Sequence, residues 1–177
     1  MSLKVVIERY MKEDFSTLKD KKIFYENMPL HEAVKNAASA ITPEKIMDSH
    51  QRRIGKKICV DAAIELLKLE LEIKRCNTFE KIFEITEKVK KRTDRLGDLW
   101  SYDTALRIGF NKKVYPKEVY VQRGVVKGVK KALNGKCPRG RSLPLGIFPQ
   151  EIQDMKEPYL VENFLCIWGK DGKKSNC

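Results

Sequence analysis

The chain has 177 residues, 42% of them hydrophobic and 34% charged, with 36 Lys and Arg against 24 Asp and Glu for a formal net charge of +12. That length buries a hydrophobic core without disulfides or a metal, and aromatic residues spread along the chain exclude wholesale disorder. No apolar run approaches the roughly 18 residues of a membrane span, and the excess of cations draws the chain toward phosphate and other anionic surfaces.

Residues 3–12 set Val5, Val6, Ile7, Tyr10 and Met11 among charges and predict a short helix, without the apolar run of a secretory signal. Residues 14–29 are less regular, with room for another turn of helix. Residues 30–41 carry Leu30, Ala33, Val34, Ala37, Ala38 and Ile41 at the i, i+3, i+4 spacing of an amphipathic helix. Thr42 followed by Pro43 is an N-cap with proline at the first helical position, which predicts a helix toward Ile54 that Gly55 interrupts. Residues 56–76 form the most apolar long run and predict one central buried helix. Thr78 caps a further helix to about Thr93, with Phe79, Ile82, Phe83, Thr86 and Val89 on one face. After a turn at 96–100, Ser101 is placed to cap a helix to Phe110.

Residues 114–121 contain Pro116 and read as a helix start or an extended piece. Residues 124–133 predict a helix ended by Asn134 and Gly135. Residues 136–149 form a loop rich in Gly, Pro and Arg, and 148–155 predict a short helix. Residues 157–168, with Tyr159, Leu160, Val161, Phe164, Leu165, Ile167 and Trp168, are too apolar to lie exposed. The expected fold is therefore all-α: a single compact domain over 1–168, about seven to nine helices around 56–76, and a flexible C-terminal tail at 169–177. There is no strand alternation of useful length, no internal repeat and no low-complexity tract.

The cations are concentrated. Between Lys112 and Arg141 ten basic residues face one acidic residue, Glu118. Lys127, Lys130 and Lys131 share one helical face, Arg123 stands one turn earlier, and Arg139 and Arg141 follow in the loop. Such a set neutralises phosphates and confers affinity with little sequence choice. Lys112 and Lys113 begin it. Trp100, Tyr115 and Tyr120 lie close by in sequence, where aromatic rings stack on bases or pack a core.

The preceding stretch, Leu96-Gly97-Asp98-Leu99-Trp100-Ser101-Tyr102-Asp103-Thr104-Ala105-Leu106-Arg107-Ile108-Gly109, resembles a helix-hairpin-helix element. The resemblance implies a tight turn at Gly97, Asp98, Leu99, Trp100 and Ser101, with backbone N–H groups at a helix start binding one phosphate. The layout onward through Ile108-Gly109, Pro116, Val119 and Gly124-Val125 is similar to the helix-hairpin-helix DNA glycosylases. At the positions where that family places its catalytic aspartate and lysine, this chain has Tyr120 and Asp103, so the resemblance implies nucleic-acid binding without base excision. The strings from Tyr102 to Gly109, from Glu118 to Tyr120 and from Glu162 to Ile167 also look like small bacterial proteins, which implies a bacterial or phage source and no particular activity.

Other candidates for chemistry are sparse. His50 lies between Asp48 and Gln51-Arg52-Arg53 and is a candidate base or phosphate contact, or a plain helix-face residue. Asp103 and Arg107, four apart, read first as an intrahelical ion pair and second as a functional pair. His31 and His50 are far apart and lack paired carboxylates, so no metal is expected. No cofactor is expected, since no phosphate-cradling Gly-rich motif or nucleophile elbow is present. Five cysteines, Cys59, Cys76, Cys137, Cys166 and Cys177, are an odd number without a C-x-x-C, which argues against a disulfide framework and for a reducing cytoplasm. The leading expectation is a noncatalytic nucleic-acid-binding protein whose partner is DNA or RNA, with no membrane contact. The alternatives are a DNA-processing enzyme with relocated catalytic groups, tested first at His50 and Asp103, and an interaction module of a defence or mobile-element system that meets an acidic protein partner.

Overall fold

The computed structural model describes residues 2–170. Residues 171–177, which include Cys177 and most of the expected tail, lie outside the described residues, as does the His50 side chain. Among the described residues the fold is all-α, with ten α-helices and one short pair of antiparallel strands. The chain divides into two compact units. One is Leu18–Tyr115; the other joins Met1–Thr17 to Pro116–Cys177.

The unit Leu18–Tyr115 is organised on α7 (Asp98–Lys112), which packs against α3 (Leu30–Ala38) and α6 (Phe79–Arg92). From Trp100 to Phe110 every side chain of α7 except Asp103 is buried. Close approach to α3 is possible because α3 presents Ala33, Val34, Ala37 and Ala38, all fully buried. The one polar atom of the Trp100 ring then needs a partner, and its indole N–H donates to the Ala38 carbonyl at 3.0 Å. On the α6 side, Phe79 and Phe83 stack at 5.9 Å and Tyr102 meets Phe79 edge-on at 5.9 Å. Thr86 donates its hydroxyl to the carbonyls of Phe83 and Ser101. The start of α6 is as the sequence predicts: the Lys81 amide donates to Thr78 Oγ1.

Four sequence expectations for this unit change. Residues 14–29 are not irregular: α2 (Phe15–Glu26) is a full helix that buries Leu18 and Tyr25, seven residues apart, a stripe too narrow to stand out in the pattern. The helix expected from Thr42 toward Ile54 does not form. Ile41 bridges to Met47, Lys45 adopts a left-handed conformation in a turn closed by Thr42, and only Ser49–Gln51 is helical, as a single 3₁₀ turn. The Thr-Pro pair opens a turn there because the Asp48 side chain is held from elsewhere in the fold, as described below. The run 56–76 is two helices, α4 (Lys56–Leu67) and α5 (Glu70–Arg75), and one side of it is exposed at Val60, Ile64 and Leu71. Finally, α7 starts three residues before the expected cap: Gly97 is the N-cap and Ser101 lies inside the helix, buried.

In the other unit α10 (Pro158–Trp168) is the apolar centre and is largely buried, as its composition predicts, with α1 (Leu3–Glu13) and α8 (Val126–Ala132) against it and α9 (Gln150–Gln153) against α1. Tyr10 of α1 donates its hydroxyl to Asn163 Oδ1 at 2.7 Å and sets its ring edge-on to Phe164 at 5.4 Å. The crossing of α8 and α10 depends on glycine. A Cβ on Gly128 would lie 2.0 Å from the Leu165 carbonyl oxygen, a distance no side chain tolerates. The segment 114–121 resolves as extended: β1 (Val119–Tyr120) pairs with β2 (Ser142–Leu143), in the register Val119 to Leu143. The short helix expected at 148–155 is the four-residue α9.

Candidate nucleic-acid interface

The basic segment folds as one closed excursion. It leaves on β1 and returns on β2, and the Val121 amide adds a third rung to the Arg141 carbonyl at 2.9 Å. Between them, α8 is divided into two faces by its own periodicity. Val125, Gly128, Val129 and Ala132 recur at i, i+3, i+4 and i+7, and all are buried. Lys127, Lys130 and Lys131 fall on the opposite side and are exposed, as are Arg123 before the helix and Lys136, Arg139 and Arg141 after it. The one carboxylate in the segment, Glu118, accepts a hydrogen bond from Ser142 Oγ at 2.5 Å.

Two of these cations also serve the fold. Lys131 Nζ donates to the Trp168 carbonyl at 2.6 Å and sits 5.5 Å above the Trp168 ring. This places a cation at the negative end of the α10 dipole. Arg141 likewise has a partner of its own. By contrast, Arg123, Lys127, Lys130, Lys136 and Arg139 reach no carboxylate among the described residues. Their mutual repulsion is relieved only by solvent and by whatever anion approaches. Lys136, exposed just after the helix, is not among the sequence-derived candidates.

The α6–α7 corner belongs to the other unit. Gly97, Asp98 and Leu99 are exposed, and nothing lies within 4 Å of a Cβ placed on Gly97. The first residues of this helix are therefore open to solvent. Trp100 and Ser101, included in the expected turn, are fully buried, so their side chains face the core and touch no ligand. Asp98 already brings a carboxylate to the positive end of the helix, and it accepts from Lys90 Nζ at 2.5 Å. Burial works against the Lys90 charge, but hydrogen bonds to Asp98 and Glu87 outweigh it and raise its pKa. At the far end of α7, Lys112 is spent on the Lys74 carbonyl at 2.9 Å, while Lys113 is exposed in a left-handed cap.

Asp103 and Arg107 pair within α7, as their spacing predicts, and both also reach residues that flank His50 in sequence. The intrahelical contact from Arg107 to Asp103 is 3.7 Å. Shorter contacts run across the fold: Arg107 donates to Asp48 Oδ2 at 3.1 Å and to the Ala37 carbonyl at 3.3 Å, Lys21 donates to the same Asp48 oxygen at 2.7 Å, and Gln51 donates to Asp103 at 3.0 Å. Asp48 and Gln51 flank His50, whose own side chain is among those not described. Arg107 is 5% exposed. Burial opposes its charge, yet Asp103, Tyr25 and Asp48 together raise its pKa. The same burial pushes the Tyr25 phenol up to about 12, with Arg107 opposing and Asp48 and Asp103 reinforcing. Both carboxylates are committed to cations and amides, so the cluster pins the 39–55 loop to α7. Asp48 lies 59 residues from Arg107, and no local spacing signals that contact.

Comparison with protein-family models, with curated proteins and with solved structures finds no match. No group of three or more His, Cys, Asp or Glu among the described residues is arranged to hold a metal ion, and no described helix is long and apolar enough to cross a membrane.

Proposed function

We propose that this chain is a noncatalytic nucleic-acid-binding protein that holds the phosphate backbone through the cations between Arg123 and Arg141. The observation that carries this reading is the division of α8: its apolar face is consumed by packing, and its other face, with the flanking loops, displays Arg123, Lys127, Lys130, Lys136 and Arg139 with no carboxylate partner among the described residues. A surface of this kind binds a polyanion by releasing its counterions, so affinity falls steeply with salt and depends weakly on base sequence. The aromatic residues near it favour backbone contact over base stacking. Tyr120 is buried, and the Trp168 ring is stacked on Phe164 with Lys131 above it.

The α6–α7 corner, read as a degenerate helix-hairpin-helix element, contributes one further phosphate contact through the amides of Gly97, Asp98 and Leu99. Asp98 opposes an incoming anion there, which makes the corner the weaker of the two contacts.

Fluorescence anisotropy of labelled DNA and RNA oligonucleotides across a salt series tests the reading. Replacing Arg123, Lys127, Lys130 and Arg139 together with Gln is expected to weaken binding and to lower the salt slope by about 3 to 4 on duplex DNA, at about 0.9 per phosphate released. Unchanged affinity in that variant sinks the proposal. Asp98→Asn separates out the corner: tighter binding supports a phosphate there, and unaltered binding removes the corner from the interface.

A further inference from the structure

Helix α4 and the first turn of α5 leave one complete face in solvent. Lys57, Val60, Asp61 and Ile64 recur at helical spacing along α4, Lys68 caps its end and Leu71 lies in the first turn of α5, and all six are exposed. Three of them are apolar: Val60 is 40% exposed, Ile64 51% and Leu71 72%. The opposite side, with Cys59, Ala62, Ala63, Leu66 and Ile73, is buried in the unit's own core. A helix apolar on both sides has more hydrophobic surface than its own fold covers, and a contiguous patch of this kind marks an interaction surface.

The charges on this face identify the occupant. Along the chain they read positive at Lys57, negative at Asp61, positive at Lys68 and negative at Glu72. We propose that this face pairs with the same face of a second copy, antiparallel, about a two-fold axis between residues 64 and 65. In that register Asp61 meets Lys68 of the second copy and Lys57 meets its Glu72. Val60 falls within two residues of the second copy's Leu71 and Ile64 within one residue of its Ile64, so the apolar side chains meet near the axis. A parallel alignment sets each charge against itself, and no such complementarity arises. Lys68 and Glu72 have partners within the chain, Glu65 at 2.5 Å and Lys88 at 3.0 Å, but these pairs are exposed and exchange at little cost. One helix face is smaller than the roughly 800 Å² per partner of a standard interface, so the dimer is weak and concentration-dependent.

Sedimentation equilibrium of the nuclease-treated full chain between about 10 µM and about 1 mM tests this, a range chosen for a weak interface. The wild-type mass is expected to rise from one chain toward two. Ile64→Glu, at an exposed helical position, is expected to remain monomeric with unchanged helicity by circular dichroism. Asp61→Lys is expected to weaken association at least about tenfold, and Asp61→Lys combined with Lys68→Glu to restore it toward the wild-type value. A wild-type mass of one chain throughout the range overturns the proposal. So does a dimer indifferent to Ile64→Glu, or one that the paired exchange weakens as much as Asp61→Lys alone.

Discussion

The two units carry the same formal charge but distribute it differently along the chain. Leu18–Tyr115 has 21 Lys and Arg against 15 Asp and Glu, and the other unit has 15 against 9, so each is +6. In the first, carboxylates are interspersed among the cations, and some cations are spent on structure: Lys21 and Arg107 on Asp48, Lys22 on Glu26, Lys90 on Glu87 and Asp98, and Lys112 on a carbonyl. In the second, eight of the 15 fall between Lys117 and Arg141, where the single carboxylate is Glu118. Net charge therefore says little about where a polyanion binds. What matters is whether cations gather where few carboxylates stand beside them, as they do in the basic excursion of the unit built on α10.

Substitutions that disturb one unit and spare the other test this contrast. The largest effect is expected from Gly128→Val, which drives a side chain into the Leu165 carbonyl. A loss of about 4 kcal/mol or more is expected, in the range of severe overpacking. Hydrogen exchange should show α8 and α10 losing protection while α6 and α7 keep theirs; equal loss in both units breaks the comparison. Asp48→Ala comes next. It strips Arg107 and Lys21 of a shared buried carboxylate and is expected to cost about 3 kcal/mol, read as a lower denaturation midpoint with oligonucleotide affinity preserved below it.

Tyr25→Phe gives a smaller, pH-dependent effect. The folded phenol titrates near 12 against an ordinary value of 10.0. The unfolded chain therefore binds fewer protons than the folded chain between these values, and the stability conferred by the neutral phenol is present below pH 10 and lost as pH rises toward 12. The slope is about 1.4 kcal/mol per pH unit. Urea titrations from pH 9 to 12 are expected to show a shallower alkaline decline in Tyr25→Phe, whose hydroxyl no longer donates to Ile41. The smallest stability effect, within about 0.5 kcal/mol as for exposed positions, is expected from the four-fold Gln variant at Arg123, Lys127, Lys130 and Arg139. Its stability is measured by thermal melting, and its defect should appear in binding alone.

Much of this was legible in the chain itself. Thr78 and the pattern after it define α6 because the cap and the apolar spacing are local. The apolar run at 157–168 reads as buried because no exposed helix carries so little polarity, whereas the centre expected at 56–76 is two helices with one side exposed. The two faces of α8 follow from a 3.6-residue period applied to a basic sequence. Local pattern misled where a distant partner decided the outcome. Thr42 and Pro43 have the chemistry of a helix start, yet Ile41 pairs with Met47 and Asp48 is drawn to Arg107, so a turn forms instead. Ser101 has the chemistry of a cap, yet α7 begins at Asp98 and buries it.

The sequence by itself determined an all-α chain, the placing of its strongest helices and the concentration of cations after Lys112, because helix periodicity, capping and charge density are properties of neighbours in the chain. Only the tertiary structure decided which cations are neutralised and which are displayed, that Trp100 and Ser101 are core residues, and that α4 keeps an uncovered apolar face. Burial and ion pairing join residues as far apart as Asp48 and Arg107, and local spacing does not encode those distances.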